Sequence, residues 1–169
     1  RPNLIYGLGF SVRWKDFDFN LHFQGAGKSN VQILGKNVFA FRENQWGNVF
    51  KGMVDDRWIS ADISGTTATE NPNASYPRLT YGANNNNEQA STFWLRDMSY
   101  LRLKNLEITY DVPREWIQHL RLTGLRLGFI GENLFTWSPF KWWDPEGNNE
   151  SGNAYPISRT FSFYLSFNL

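Results

Sequence analysis

Residues 4–25 constrain the fold more than any other stretch. Leu4, Tyr6, Leu8, Phe10, Val12 and Trp14 alternate with Gly7, Gly9, Ser11 and Arg13, with Ile5 the apolar exception. Side chains on successive strand residues point to opposite faces, so this spacing predicts a strand over 4–14 with one greasy side. Lys15-Asp16 then provides a two-residue turn. A second strand over 17–25 carries Phe17, Phe19, Leu21 and Phe23 on one face and Asp18, Asn20, His22 and Gln24 on the other. In a two-residue hairpin the flanking residues Trp14 and Phe17 pair and share a face, so the two apolar faces coincide. Each strand is about 10 residues long, enough to cross a bilayer when tilted. Tyr6 and Trp14 stand near the ends of the first strand, where membrane barrels place their aromatic girdles.

The rest of the chain continues the pattern. Strands are expected over 99–110, 122–136 and 159–169. The parity of apolar residues slips between Leu103 and Leu106, which reads as a β-bulge at Lys104-Asn105. Pro113 with Glu115–Leu120 suggests one helical turn between the third and fourth strands. In the last strand Phe161, Phe163, Leu165, Phe167 and Leu169 alternate with Ser162, Tyr164, Ser166 and Asn168. Two long polar segments, 26–97 and 137–157, interrupt the strands, and a short helix is expected around Val49–Trp58. Loops of this length are usually functional. In an outer-membrane barrel the long loops are extracellular and the tight turns periplasmic, which would orient the chain. The fold class expected is therefore all-β, an antiparallel transmembrane barrel segment. A few strands cannot enclose a channel, so the remainder would come from sequence outside this chain. Arg1-Pro2-Asn3, followed at once by strand pattern, reads as a mid-protein start, so a fragment or split product is expected.

Composition excludes several other classes. Aromatics make up 17% of the chain although its mean hydropathy is −0.51, which suits short greasy-faced strands joined by polar loops. Seventeen basic and 16 acidic residues give a net charge of +1, scattered along the chain. No basic stripe of the kind nucleic acid requires is present. The sequence has no Cys, hence no thiolate site, and its two His lack metal-ligand spacing; no metal and no cofactor are expected. Asp55-Asp56 and Asp144/Glu146 are adjacent loop acids with nothing to fix a catalytic separation, so the chain is not expected to be an enzyme and no catalytic residue is assigned.

The ligand-contact candidates are the loop aromatics Trp137, Phe140, Trp142 and Trp143 with Asp144. Sugar rings stack on aromatic faces, and a nearby carboxylate can orient hydroxyls. The same rings could instead pack the loop or join the outer girdle, and both readings stay open. Trp46 and Trp58 carry the same ambiguity, with contact to a partner protein as a third option. Arg13, Asp18, His22, Gln24 and Glu107 fall on the polar strand face, where they would meet water or a plug.

Several motifs, in order, resemble the C-terminal part of the SusC/RagA family of TonB-dependent outer-membrane transporters. Ser99-Tyr100-Leu101-Arg102-Leu103-Lys104-Asn105 with Tyr110 and Pro113 is similar to one family stretch, and Glu132-Asn133-Leu134-Phe135-Thr136 to a second. Asp144-Pro145-Glu146, Tyr155-Pro156 and Arg159-Thr160-Phe161 follow in the family's order. Glu70-Asn71-Pro72, Pro77-Arg78-Leu79 and Phe93-Trp94-Leu95-Arg96-Asp97 fit the long loop. The resemblance implies the last strands of a barrel of about 22, with a plugged lumen. It also implies a SusD-like lipoprotein partner, energisation by TonB through a part of the protein absent here, and import of oligosaccharides or peptides across a Bacteroidetes outer membrane. The rival expectation is a soluble β-sandwich that binds carbohydrate through Trp142 and Trp143.

Overall fold

A computed structural model describes residues 2–42, 47–61 and 70–169. The alternating runs form five long strands: β1 (Leu4–Trp14), β2 (Phe17–Gly27), β5 (Tyr100–Asp111), β6 (Gly124–Trp137) and β7 (Thr160–Asn168). They lie in one antiparallel sheet in the order β1-β2-β5-β6-β7. Two three-residue strands, β3 (Asn30–Gln32) and β4 (Leu95–Asp97), make a separate small sheet. The chain divides into two compact units. One holds the five-stranded sheet and comprises Arg1–Asn30, Asp97–Asn148 and Tyr155–Leu169; the other comprises Val31–Arg96 with Asn149–Ala154.

Register gives the sheet its two faces. Trp14 pairs with Phe17, Phe17 with Tyr110, Tyr110 with Leu127 and Leu127 with Leu165. The next such row is Val12, Phe19, Ile108, Phe129 and Phe163, and the one after it Phe10, Leu21, Leu106, Gly131 and Phe161. One face is thus apolar across all five strands, and Leu8, Phe10, Val12, Trp14, Phe161, Phe163 and Leu165 on it are exposed. The opposite face carries rows such as Arg13, Asp18, Thr109, Gly128 and Tyr164. A bulge keeps the faces in phase. Leu103 pairs with Phe23 and Asn105 with His22, which leaves Lys104 as the extra residue. On the other side of β5 the same step spans Phe135 to Glu132, where Asn133 takes a left-handed φ of 54°.

Lys15 turns the first hairpin with φ 53°, and its ammonium lies 5.1 Å from the Trp14 ring centre. The β5–β6 connection closes with helical turns at Arg114–Ile117 and Gln118–Leu120. Both tight connections fall at one end of the sheet, and both long excursions leave from the other.

Two glycines are needed for close approach. At Gly25 an added Cβ would stand 2.4 Å from the Tyr6 ring and 2.6 Å from the Tyr100 carbonyl oxygen. The Tyr6 ring lies flat over β2 there, and its hydroxyl donates to that carbonyl at 3.0 Å. At Gly128 the Tyr164 ring occupies the corresponding place, 2.0 Å from where a Cβ would sit. A ring laid over a cross-strand glycine fills the missing side chain and staples strands together. Gly25→Ala should therefore lower the stability of the sheet by about 1–3 kcal/mol, the usual cost of overpacking. The midpoint of urea unfolding followed by Tyr and Trp fluorescence reads this directly, and an unchanged midpoint would show that Tyr6 moves aside freely.

In the second unit, Ile33, Val38, Phe39, Met53 and Trp94 are buried. A short helix spans Lys51–Asp55, inside the longer stretch expected from the sequence. Trp94 Nε1 donates to the Asn87 carbonyl oxygen at 2.6 Å, and Phe39 meets the Trp94 ring edge-on at 5.1 Å. Trp46 and Gly65-Thr66-Thr67 lie outside the described residues.

Candidate functional site

The segment after β6 is fastened to β5 through Arg102. This residue falls on the polar strand face, yet its side chain is only 2% exposed. Nη2 donates to both oxygens of Asp144 at 2.7 Å, and Nη1 stands 2.9 Å from Glu146 Oε2. Lys104 Nζ donates to Glu146 Oε1 at 2.7 Å. Asp144 also accepts from the Glu146 backbone N–H at 2.9 Å, capping the 3-10 turn Pro145–Gly147. A guanidinium suits this place because its planar fork meets two carboxylates at once. Two further bonds anchor the segment: Ser138 Oγ donates to the Ser99 carbonyl at 2.7 Å, and the Phe140 N–H donates to Ser138 Oγ at 3.1 Å.

The clasp positions an aromatic cluster. Phe140 is buried, with its ring centre 4.9 Å from Trp143 and 6.0 Å from Trp142; the two Trp rings are 5.9 Å apart. Of the five residues expected to meet a ligand, the fold therefore brings together Phe140, Trp142, Trp143 and Asp144. Trp137 stands apart, because β6 extends through it. It pairs with Leu101, lies 6.1 Å from the Phe135 ring, and belongs to the exposed apolar face. Arg102 holds both carboxylate oxygens of Asp144, which fixes that carboxylate beside the two indoles.

The polar face of the sheet carries a second network. Arg13 lies 3.6 Å from Asp18 and 3.5 Å from Asp111, while Arg126 donates to both oxygens of Asp111 at 2.6 and 2.9 Å. Glu107 accepts from Asn20 Nδ2 at 3.4 Å and from the Tyr164 hydroxyl at 3.3 Å. All of these except Asp111 line a concavity of about 330 Å³ that reaches from β1 to β7. His22 and Gln24 share the face in the adjoining rows. Asn20, Asp111, Arg126 and Tyr164 were not among the sequence candidates, although parity with Asp18 and Glu107 marks Asn20, and the pairing of Asp111 with Arg126 follows from register. Exposed ion pairs of this kind contribute little singly, so the network's value is a polar, hydrated wall rather than stability. His119 lies in the Gln118–Leu120 turn. Among the described residues no group of three His, Asp or Glu side chains could hold a metal ion.

An antiparallel sheet that keeps a wide apolar face open and braces a polar one with cross-strand hydrogen bonds has the architecture of an outer-membrane β-barrel wall. Similarity to known proteins agrees. The chain is 27% identical over 98% of its length to TonB-dependent receptor P26 of Formosa agariphila, and covers 17% of that protein. It is 23% identical over 97% of its length to TonB-dependent receptor SusC of Bacteroides thetaiotaomicron, covering 15% of it. Among solved structures it superposes on the RagAB peptide transporter with a TM-score of 0.74 at 23% identity, over 98% of this chain and 17% of that one. The RagAB importer in its open-open state gives a TM-score of 0.73 over the whole chain. No family model matches the chain. The chain is thus similar to TonB-dependent receptors, SusC among them, shares the fold of the matching part of RagAB, and spans less than a fifth of the length of these relatives.

Proposed function

We propose that this chain supplies the C-terminal barrel strands of an outer-membrane active importer for oligosaccharides or peptides. The observation that carries the reading is the apolar face, unbroken across five strands and open. In water such a face invites association, whereas in lipid it is what anchors a barrel. On this reading residues 28–99 and 138–159 are extracellular, the turns at Lys15-Asp16 and 112–123 are periplasmic, and the network around Glu107 faces the lumen. A SusD-like lipoprotein covers the outside, and TonB acts through a part of the protein beyond this sequence. The relatives named as receptors and importers support transport rather than catalysis. Trp142 and Trp143, held by the Arg102 clasp at the extracellular end, are the proposed contact for passing substrate or for the lipoprotein.

The rival soluble β-sandwich needs a second sheet over the apolar face, and among the described residues none covers it. Gentle detergent extraction of outer membranes, followed by native mass measurement, tests the choice. The expected result is recovery of this chain in a large complex with the rest of the barrel and a lipoprotein. A free, detergent-independent monomer of 19.7 kDa would overturn it.

A further inference from the structure

The second unit contains a groove of its own, lined by Trp58, Tyr76 and Phe93. Residues 56–58 run beside Tyr76: the Trp58 N–H donates to the Tyr76 carbonyl at 2.8 Å, and the Tyr76 N–H to the Asp56 carbonyl at 3.1 Å. This pairing sets Trp58 and Tyr76 along one wall of a concavity of about 510 Å³. Phe93 completes the wall, meeting the Tyr76 ring edge-on at 6.2 Å and 85°. Trp58 remains exposed. Asn86, Asn87 and Ser75 contribute polar groups to the same groove, and none of the residues lining it is charged.

The polar groups are held in place before any ligand arrives. Asn87 N–H donates to Asn84 Oδ1 at 3.1 Å, Asn84 N–H to Glu88 Oε1 at 2.9 Å, and the Asn87 carbonyl accepts from Trp94 Nε1. The Asn84–Asn87 run, which looks like low-complexity loop in the sequence, is thus a turn with a braced backbone, on which Asn86 Nδ2 donates to Asn87 Oδ1 at 3.3 Å. Asp56 sits behind the groove. A hydrogen bond from the Ser75 hydroxyl, aided by Asn71 and the Ser75 backbone, holds its carboxyl below the usual carboxylate range. A hydroxyl oxygen has two lone pairs, so Ser75 can accept from a ligand hydroxyl while donating.

Aromatic faces attract the C–H face of a pyranose ring, while amides and hydroxyls that donate and accept in place read its equatorial hydroxyls. The lining itself is without charge, and two guanidiniums beside it are engaged with the backbone, Arg96 with the Phe93 and Leu95 carbonyls and Arg57 with the Val54 carbonyl, which favours a neutral ring over a carboxylate. We propose that this groove is a subsite for a neutral sugar residue of the imported saccharide, with the ring on Trp58 and its hydroxyls on Asn86, Asn87 and Ser75. The proposal rests on the importer reading and selects oligosaccharide over peptide within it. Prior bracing of the turn lowers the ordering cost that a flexible loop would incur on binding.

The test is calorimetric titration of the whole detergent-solubilised transporter with panels of neutral oligosaccharides (glucan, mannan, galactan and xylan series), acidic oligosaccharides and mixed peptides. The expected result is binding by one neutral series, weakened about tenfold or more by Trp58→Ala, a loss equal to about 1.4 kcal/mol. Trp58→Phe should keep most of it, Asn86→Ala should weaken it less than Trp58→Ala, and hydrogen exchange should show the 84–88 turn still protected in each variant. Neutral-sugar binding indifferent to Trp58→Ala would overturn the groove while leaving the importer intact. Trp58-dependent binding of peptides or of acidic sugars would overturn the assigned ligand class. Binding of no panel member would overturn the subsite, and the extraction experiment above reports separately on the transporter itself.

Discussion

Arg102→Met should release residues 138–148 from β5 and cost the sheet-bearing unit about 3–5 kcal/mol, the penalty of leaving buried carboxylates without their cation. The magnitude follows from burial. Asp144 and Glu146 have only 18% and 19% of their side chains exposed, and once the guanidinium is gone Lys104 remains on Glu146 alone. The Met side chain fills much of the Arg stem's volume, so the loss is electrostatic rather than a cavity. Hydrogen exchange across 138–148 and the urea midpoint read the two consequences. Arg102→Lys should recover only part of the loss, since one ammonium cannot serve two carboxylates in the fork geometry. A triple variant, Arg102→Met with Asp144→Asn and Glu146→Gln, removes every charge that Arg102 balances and should regain protection. If the single Met variant keeps the segment fully protected, Ser138 and Phe140 hold it unaided and the clasp is incidental.

That clasp also shows where the sequence stops being legible. Period-two alternation carries strands, faces and hairpin register, because each depends on neighbours a few residues apart; the runs read over 4–14 and 17–25 lie within β1 and β2. The parity slip at Lys104 is visible for the same reason, since one extra residue flips every side chain after it. Arg102 is different. Its parity places it on the polar face, and nothing nearby reveals that two acids, the nearer 42 residues onward, fold back to bury it. The aromatic run 140–143 could be singled out by composition, yet the engagement of Asp144 by Arg102 is a tertiary fact. Trp137 was separable in principle, because it shares parity with Phe129 and Phe135; ending the strand at 136 instead of Trp137 assigned it to the loop. The strands β3 and β4 escaped notice because three residues carry no periodicity, and their pairing joins positions far apart in the chain. The groove along Trp58 was invisible for a related reason, its wall being assembled from three separate turns.

Phe163→Lys separates the two environments the sheet could occupy, because the sign of its effect depends on what lies outside the apolar face. Phe163 sits midway along β7, 80% exposed, in the row Val12, Phe19, Ile108, Phe129 and Phe163. Its ring contact with Phe129, at 5.1 Å, is modest, so the change tests solvent more than packing. If that face meets lipid, a lysine at mid-depth should cost about 2–4 kcal/mol of insertion free energy. The assembled, heat-modifiable barrel in outer-membrane fractions should fall accordingly. If the face met water, exchanging a bare phenyl ring for an ammonium would raise solubility and leave assembly alone. Ser162→Lys supplies the control one residue away. Ser162 pairs with Ile130 on the polar face, in the same row as Glu107 and Asn20, where an added cation finds a carboxylate and water. Loss of assembly with Phe163→Lys, together with tolerance of Ser162→Lys, requires an apolar environment over one face and a polar one over the other, which a barrel wall has and a sheet open to water on both faces does not.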